Sequence, residues 1–325
     1  MYSGVGCIVC LHRVLPDRER SPLPENRALE MADTELRSLL EWVRRSALDP
    51  IVLDEVAERL ATPSRAKFVA FTFDDGYRDN LTVALPLFRE FGVPFAVNLT
   101  TGFVNREEPI WWYALERVLR ERRALEFRAL GETQRFAWEA DIAAQNTMFE
   151  TLARRIRGLR RAERREYLGA LFAAGEVDAR KTTDEAIMTW EEARTLAQDP
   201  LVTIGAHTES HCQLSVLPQA EAKEEMLGSK QKIEAALDRE VRHFAYPFGG
   251  AQSAGRREFA LARECGFVTA GTTRCANLFP EHRRAMQALP RLSIGGGYPA
   301  VDRFRKLESG LIPAIGNRFA RVVTE

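Results

Sequence analysis

Short segments that are apolar almost throughout recur along this chain between longer amphipathic ones, and this recurrence constrains the fold more than any other feature. The short segments are VGCIVCLHRVL from Val5, KFVAFTFDDG from Lys67, VPFAVNLT from Val93, LVTIGAHT from Leu201, RHFAYPFG from Arg242, GFVTAGTT from Gly266 and LPRLSIGG from Leu289. Strands buried on both faces, as in a parallel sheet covered by helices, carry such near-continuous apolar runs. Between them, Thr34 to Arg45, Leu81 to Phe91 with Pro86 inside, Ala220 to Leu237, and Arg256 to Cys265 have helical spacing. The alternation predicts an α/β fold with about seven parallel strands, closed or nearly closed into a barrel. Chemistry in such barrels gathers where the strands end, at the C-terminal rim.

One region breaks the rhythm. From Trp111 to Gly175 the sequence is charged and helical, with Phe149, Leu152, Ile156 and Leu159 in helix spacing and no strand pattern. This predicts a single domain over 1–325 carrying a helical insertion at about 107–185. Within it, RRIRGLRRAERRE, Arg154 to Glu166, sets seven arginines against two glutamates. The run reads either as an anion-binding patch or as the solvated face of a helix packed on the barrel. The second reading suits a chain with no charge excess, since Lys+Arg and Asp+Glu number 46 each.

That balance argues against a nucleic-acid or acidic-polymer partner. The five cysteines, an odd number, do not form the paired framework of a small secreted domain. Cys7 and Cys10 form a C-x-x-C, but in a strand, positions three apart face opposite sides, and no second pair completes a zinc site. No basic segment leads into an apolar stretch at the start, and no run reaches membrane-spanning length. The expectation is a cytoplasmic protein, with peripheral membrane association left open.

The stretch FTFDDGYRDN places Asp74 and Asp75 side by side where an apolar strand ends. Adjacent carboxylates are costly to desolvate unless a cation compensates. His207 and His211 lie four apart just past another predicted strand, two of only five histidines in the chain. Two imidazoles and one aspartate at neighbouring strand ends make a set with open positions that suits a divalent ion such as zinc. The other aspartate would stand close enough to take a proton from an attacking water. Spacing alone leaves open which aspartate does which.

TFDDG (Thr72 to Gly76), H-T-x-x-H (His207 to His211) and AYPFG (Ala245 to Gly249), in this order, resemble the motifs of the polysaccharide deacetylase family, carbohydrate esterase family 4. The resemblance implies a distorted (β/α) barrel that uses a divalent metal to remove N-acetyl, occasionally other acyl, groups from amino sugars. By motif position it makes Asp74 the catalytic base and Asp75, His207 and His211 the metal ligands. It also suggests that the Phe248 N–H meets the developing oxyanion. Two departures stand out. Ala245 occupies a position where much of the family has an arginine that orients the base, and Arg291 is the candidate replacement. No C-terminal leucine-histidine motif supplies the general acid, and His282 does not fit that pattern. The AYPFG form resembles the exopolysaccharide deacetylase branch, which looks circularly rearranged, and CLHRV resembles its N-terminal strand. That makes His12 the general-acid candidate, against the simpler reading that it ends a strand. Trp111, Trp112 and Tyr246 could stack on sugar rings or pack in the core.

The leading expectation is therefore a metal-dependent hydrolase that deacetylates amino sugars of a cell-surface polysaccharide or its lipid-linked precursor. A deformylase or small-amide hydrolase on the same fold is one alternative. An inactive carbohydrate-binding barrel, motivated by Ala245, is another. A nucleic-acid binder using the Arg154 to Arg165 run would need positive charge beyond that helix.

Overall fold

The computed structural model describes residues 2–62, 66–296 and 299–324. Seven parallel strands build the main sheet: β1 Gly6–Leu11, β2 Phe68–Phe73, β3 Phe95–Leu99, β4 Val202–Ala206, β5 His243–Ala245, β6 Thr269–Gly271 and β7 Leu292–Ser293. They lie side by side in the order β6-β5-β4-β3-β2-β1-β7, with a short piece, Asp49–Pro50, also paired to β2. Just before β7, Leu289 bridges to Gly271 of β6, while Leu292 within β7 pairs with Val9 of β1. The segment 289–293 thus joins the two edges, and the sheet curls into the distorted (β/α) barrel.

Side chains alternate across the strands as pleating requires. Val9, Val69, Phe71, Val97 and Leu99 point outward, into a core shared with Leu36, Leu39, Phe88, Leu196 and Met226 of the surrounding helices. Ile8, Ala70, Ala96 and Leu289 fill the lower interior, closed from below by Val56 and Leu60. One layer higher, the inward positions turn polar: Cys10 lies opposite Thr72, and Asn98 and Arg291 complete the layer. A layer of polar groups therefore collects inside the barrel beneath its C-terminal rim.

The apolar run from Val5 is not one strand. β1 stops at Leu11, and Arg13–Leu15 pairs separately with Glu30–Ala32, so His12 sits at the break on the rim. Pro86 follows directly on a π-helical turn, Asn80–Ala84, so it sits inside a continuous helical run where that wider turn accommodates the residue with no N–H.

Between β3 and β4 the chain forms helices Trp111–Glu121, Ile142–Arg157, Arg161–Gly175 and Ala179–Ala186 around a second core that includes Trp111, Leu115, Phe149 and Tyr167. The expectation of no strand in this region is wrong: Ala124–Ala129 and Glu132–Ala137 form an antiparallel hairpin. Strict alternation makes it, with Leu125, Phe127 and Ala129 buried and Glu126 and Arg128 exposed. Leu130 and Gly131 turn the chain with φ of 54° and 79°, the left-handed pair a two-residue hairpin favours. Among the described residues no helix is long and apolar enough to cross a membrane.

Candidate active site

The two aspartates part company because the backbone turns sharply between them. Asp74 N–H still donates to Leu11 O, extending the ladder one residue past β2. Asp75 then adopts φ 74° and Gly76 φ 84°, where a Cβ on Gly76 would meet Leu99 Cδ2 at 2.8 Å. Thr208, His211 and Phe248 are left-handed too, with φ of 66°, 55° and 62°. Non-glycine residues in this region cost of order 1 kcal/mol or more each, and here they gather around one cleft.

Asp74 points into the barrel and is gripped there. Arg291 Nη1 donates to its Oδ1 at 2.9 Å and Nη2 to its Oδ2 at 2.7 Å. Asn98 Nδ2 donates to Oδ1 at 2.8 Å, and the Cys10 thiol reaches Oδ2 at 3.6 Å. Burial alone would push the Asp74 carboxyl up, but Arg291 beside it, helped by His207, holds it well below the usual carboxylate range. Arg291 is itself fixed by Thr272 O and Thr72 Oγ1, at 3.0 and 3.1 Å. Two glycines make room: a Cβ on Gly271 would lie 2.9 Å from Arg291 Cδ, and one on Gly205 would lie 2.1 Å from Asn98 Oδ1. The guanidinium thus approaches Asp74 from beside β7, while Ala245 of β5 contributes only its backbone.

Asp75 faces the histidines. Its Oδ1 lies 3.2 Å from His211 Nε2 and 3.5 Å from His207 Nε2. The His207 Nδ1–H donates to Ala245 O at 2.7 Å, which leaves a lone pair on Nε2. Burial holds the His207 imidazole down, to about 4, so it is neutral near pH 7. Asp75 Oδ1 is a buried anionic oxygen without a well-directed donor, since His207 Nε2 carries a lone pair and the 3.2 Å approach of His211 Nε2 lacks hydrogen-bond geometry. A carboxylate oxygen set against an imidazole lone pair is repulsive unless a cation lies among them, so this donor set fits a divalent ion. Cys10, His12 and Asp74 also converge within 4.8 Å, but they do not make a second such site. Asp74 is already bound by Arg291, and burial pushes the Cys10 thiol up, so it stays protonated.

These groups open on a cleft of about 390 Å³. His12, partly exposed, lines it beside Asp74, its carbonyl held by Asn80 Nδ2 at 2.9 Å. Phe248 lines it too, and its backbone N–H donates to no acceptor among the described residues, while its carbonyl receives the Thr273 hydroxyl at 2.6 Å. Trp111 and Trp112 reach the cleft from the insertion, although both are buried and belong to its core. Trp112 packs 5.1 Å from the His211 ring and donates to Tyr77 Oη at 3.0 Å. Tyr246 is buried and donates to Gln287 O. His243 lies at the opposite end of β5, beside Thr269 and Asp54, and His282 is buried against Phe279.

The arginine run is only in part the solvated face expected of it: Arg154, Arg155 and Arg160 are exposed, but its later residues turn toward the protein. Arg161 and Arg165 hold the buried carboxylate of Glu108 at 2.9 and 2.8 Å. Arg164, itself buried, donates from Nη1 to His211 O at 3.0 Å and hydrogen-bonds Ser210 O. Glu225 holds the same loop from the other side through Ser210 N and Oγ. Part of the insertion therefore clamps the His211 loop. Sequence reasoning missed Arg164, Glu108, Asn98 and Cys10, since their partners lie far away along the chain.

A family model described as polysaccharide deacetylase matches residues 61–130 and 164–270. The chain belongs to the polysaccharide deacetylase family. The matched segments contain Asp74, Asp75, His207, His211 and Phe248, whereas His12, Arg157 and Arg291 lie outside them. No curated protein matches the chain. Among solved structures it resembles the deacetylase PplD of Streptococcus pyogenes, solved in complex with acetate, at 15% identity and TM-score 0.58 over 91% of this chain and 95% of that one. It also resembles IcaB of Ammonifex degensii, at 17% identity and TM-score 0.56 over 94% and 95%, and the deacetylase domain of BpsB from Bordetella bronchiseptica, at 18% and 0.54 over 88% and 94%. At such identities the likeness speaks for the shared polysaccharide deacetylase fold.

Proposed function

We propose that this polysaccharide deacetylase is a zinc-dependent hydrolase that removes N-acetyl groups from amino sugars of a cell-surface polysaccharide of the exopolysaccharide type. The observation that carries the reading is the pairing, on one rim, of an Arg291-bound Asp74 with an Asp75, His207 and His211 group whose buried carboxylate oxygen, without a well-directed donor, calls for a cation. When bound there, a divalent ion supplies Lewis-acid polarisation of the amide carbonyl and makes water more acidic.

The protein's own groups divide the remaining work. Asp74, ionised and fixed in direction, takes the proton of the attacking water through Oδ2, where the weak Cys10 thiol is the partner most easily displaced. The unoccupied Phe248 N–H donates to the carbonyl oxygen as it gains charge. His12 gives a proton to the amide nitrogen, so that the C–N bond breaks to acetate and a free amine. Trp112, packed on His211, keeps one wall of the cleft apolar.

The inactive-barrel alternative rested on Ala245, and Arg291 removes its motive by holding the base from another strand. The test is to incubate zinc-loaded protein with N-acetylglucosamine oligomers and measure acetate, formate and new amines. Acetate and amine in equal amounts, abolished in Asp74→Asn, are expected. Formate from N-formyl sugars in its place would move the activity to a deformylase, and no release from any substrate would overturn the reading.

A further inference from the structure

The insertion delivers to the cleft one charged group that the scheme above does not use. Arg157, the last residue of the Ile142–Arg157 helix, lines the same cleft as Asp75 and His211. Its guanidinium carbon lies 5.1 Å from the centre of the Phe248 ring, and that ring lies 4.9 Å from the His211 ring. The guanidinium is therefore within about 10 Å of the candidate metal ligands. That is the reach of a substituent on the sugar whose acyl group is being cut, or on its neighbour.

Arg157 differs from the arginines around it. Arg161, Arg164 and Arg165 share Glu108, and Arg303, the other arginine lining the cleft, donates to Gly295 O at 2.6 Å. Arg157 forms no hydrogen bond or ion pair with any described residue, and its Nε is buried without an acceptor. Glu25, on the same cleft, acts on it only from beyond ion-pair distance. The Phe248 face and the helix C-terminus offset part of the cost of desolvating this charge. A partly buried cation favours a partner, and its planar fork matches a carboxylate or phosphate. Burial also lowers its pKa from the ordinary value, and the distant Glu25 only partly opposes this. Arg157 lies outside the residues that the family model matches.

We infer that Arg157 is an anion receptor in the substrate cleft, and that the preferred amino sugar carries a carboxylate or phosphate close to its N-acetyl group. The inference rests on the deacetylase reading for the sugar, but its test is one of binding. Isothermal titration of zinc-loaded protein compares N-acetylglucosamine, N-acetylmuramic acid and N-acetylglucosamine 6-phosphate at low salt. At least one charged sugar should bind about tenfold or more tighter than the neutral one, as a charge-assisted contact allows. The two charged probes tell carboxylate from phosphate. In Arg157→Gln, checked for folding by circular dichroism, the preference should vanish, and Arg157→Lys should retain part of it. Equal affinity for all three sugars in the unmutated protein, or a charge preference that survives in Arg157→Gln, overturns the inference. Charged-sugar binding without acetate release from any substrate would overturn the deacetylase reading and leave the receptor standing; acetate release without charge preference would do the reverse.

Discussion

Arg291 grips both oxygens of Asp74 across more than two hundred residues of chain, and both side chains are almost fully buried. Removing one partner of such a pair strands a charge and costs about 3–5 kcal/mol. Arg291→Met should therefore lower the urea midpoint by that equivalent, and Asp74 should titrate far higher once burial is unopposed. Arg291→Lys, which keeps the charge but loses the fork, should fall between. An unchanged midpoint in Arg291→Met would show that the pair is not intact in solution.

The two aspartates should fail in different ways. Asp75→Asn and His207→Ala should lose the ion, read as zinc per protein after dialysis, and lose turnover with it. Asp74→Asn should keep the ion and still release no acetate, because only the base is gone. The opposite pattern would exchange the two roles.

The metal-free protein should weaken in mild acid, and His207 sets the window. Its folded pKa is lowered from 6.5 to about 4, so between those values the unfolded chain takes up a proton that the folded one refuses. Stability from this group is intact above pH 6.5, falls as pH drops through the window, and falls no further below about 4. At 1.36 kcal/mol per pH unit the total is about 3 kcal/mol. Asp74, held low, adds a separate loss only below its unfolded value near 4. Urea midpoints in chelator at pH 7.5 and 4.5 should differ accordingly, and His207→Gln should flatten the difference. Equal midpoints in the unmutated protein would exclude a buried neutral His207.

The barrel was legible because parallel strands bury both faces, so β1 to β4 announce themselves as apolar runs. Asp74, Asp75, His207 and His211 were legible because each pair is local in sequence. Arg291 was found only by asking what could replace a missing arginine at Ala245. Asn98 and Cys10 were not legible, because one inward polar residue in an apolar strand carries no mark of the carboxylate it will meet. The hairpin at 124–137 was hidden by the charges on its exposed face, which blurred a two-residue period inside a helical region.

His12 should matter to turnover and not to the ion. Its imidazole converges with Asp74 and Cys10 and lines the cleft, whereas His243 and His282 lie away from it. General acids contribute on the order of a hundred- to ten-thousand-fold, so His12→Ala should cut turnover by that range with zinc content unchanged. Near-normal turnover in His12→Ala would pass the proton donor's role to another group.

Arg164 should govern metal affinity from outside the ligand set. It donates to the carbonyls of Ser210 and His211, and His211 is held at φ 55°, a conformation its loop would not keep unaided. Arg164→Leu leaves both carbonyls without that donor, at about 1–3 kcal/mol for each one left unsatisfied. It also removes one of the three arginines on Glu108, although Arg161 and Arg165 remain. Groups that hold ligands in place are typically worth 10- to 100-fold in metal affinity, and zinc binding in Arg164→Leu should weaken by about that much. Arg165→Ala, which touches Glu108 but not the loop, should leave affinity unchanged and so serves as the control. If Arg164→Leu binds zinc as tightly as the unmutated protein, the insertion covers the barrel without shaping its site.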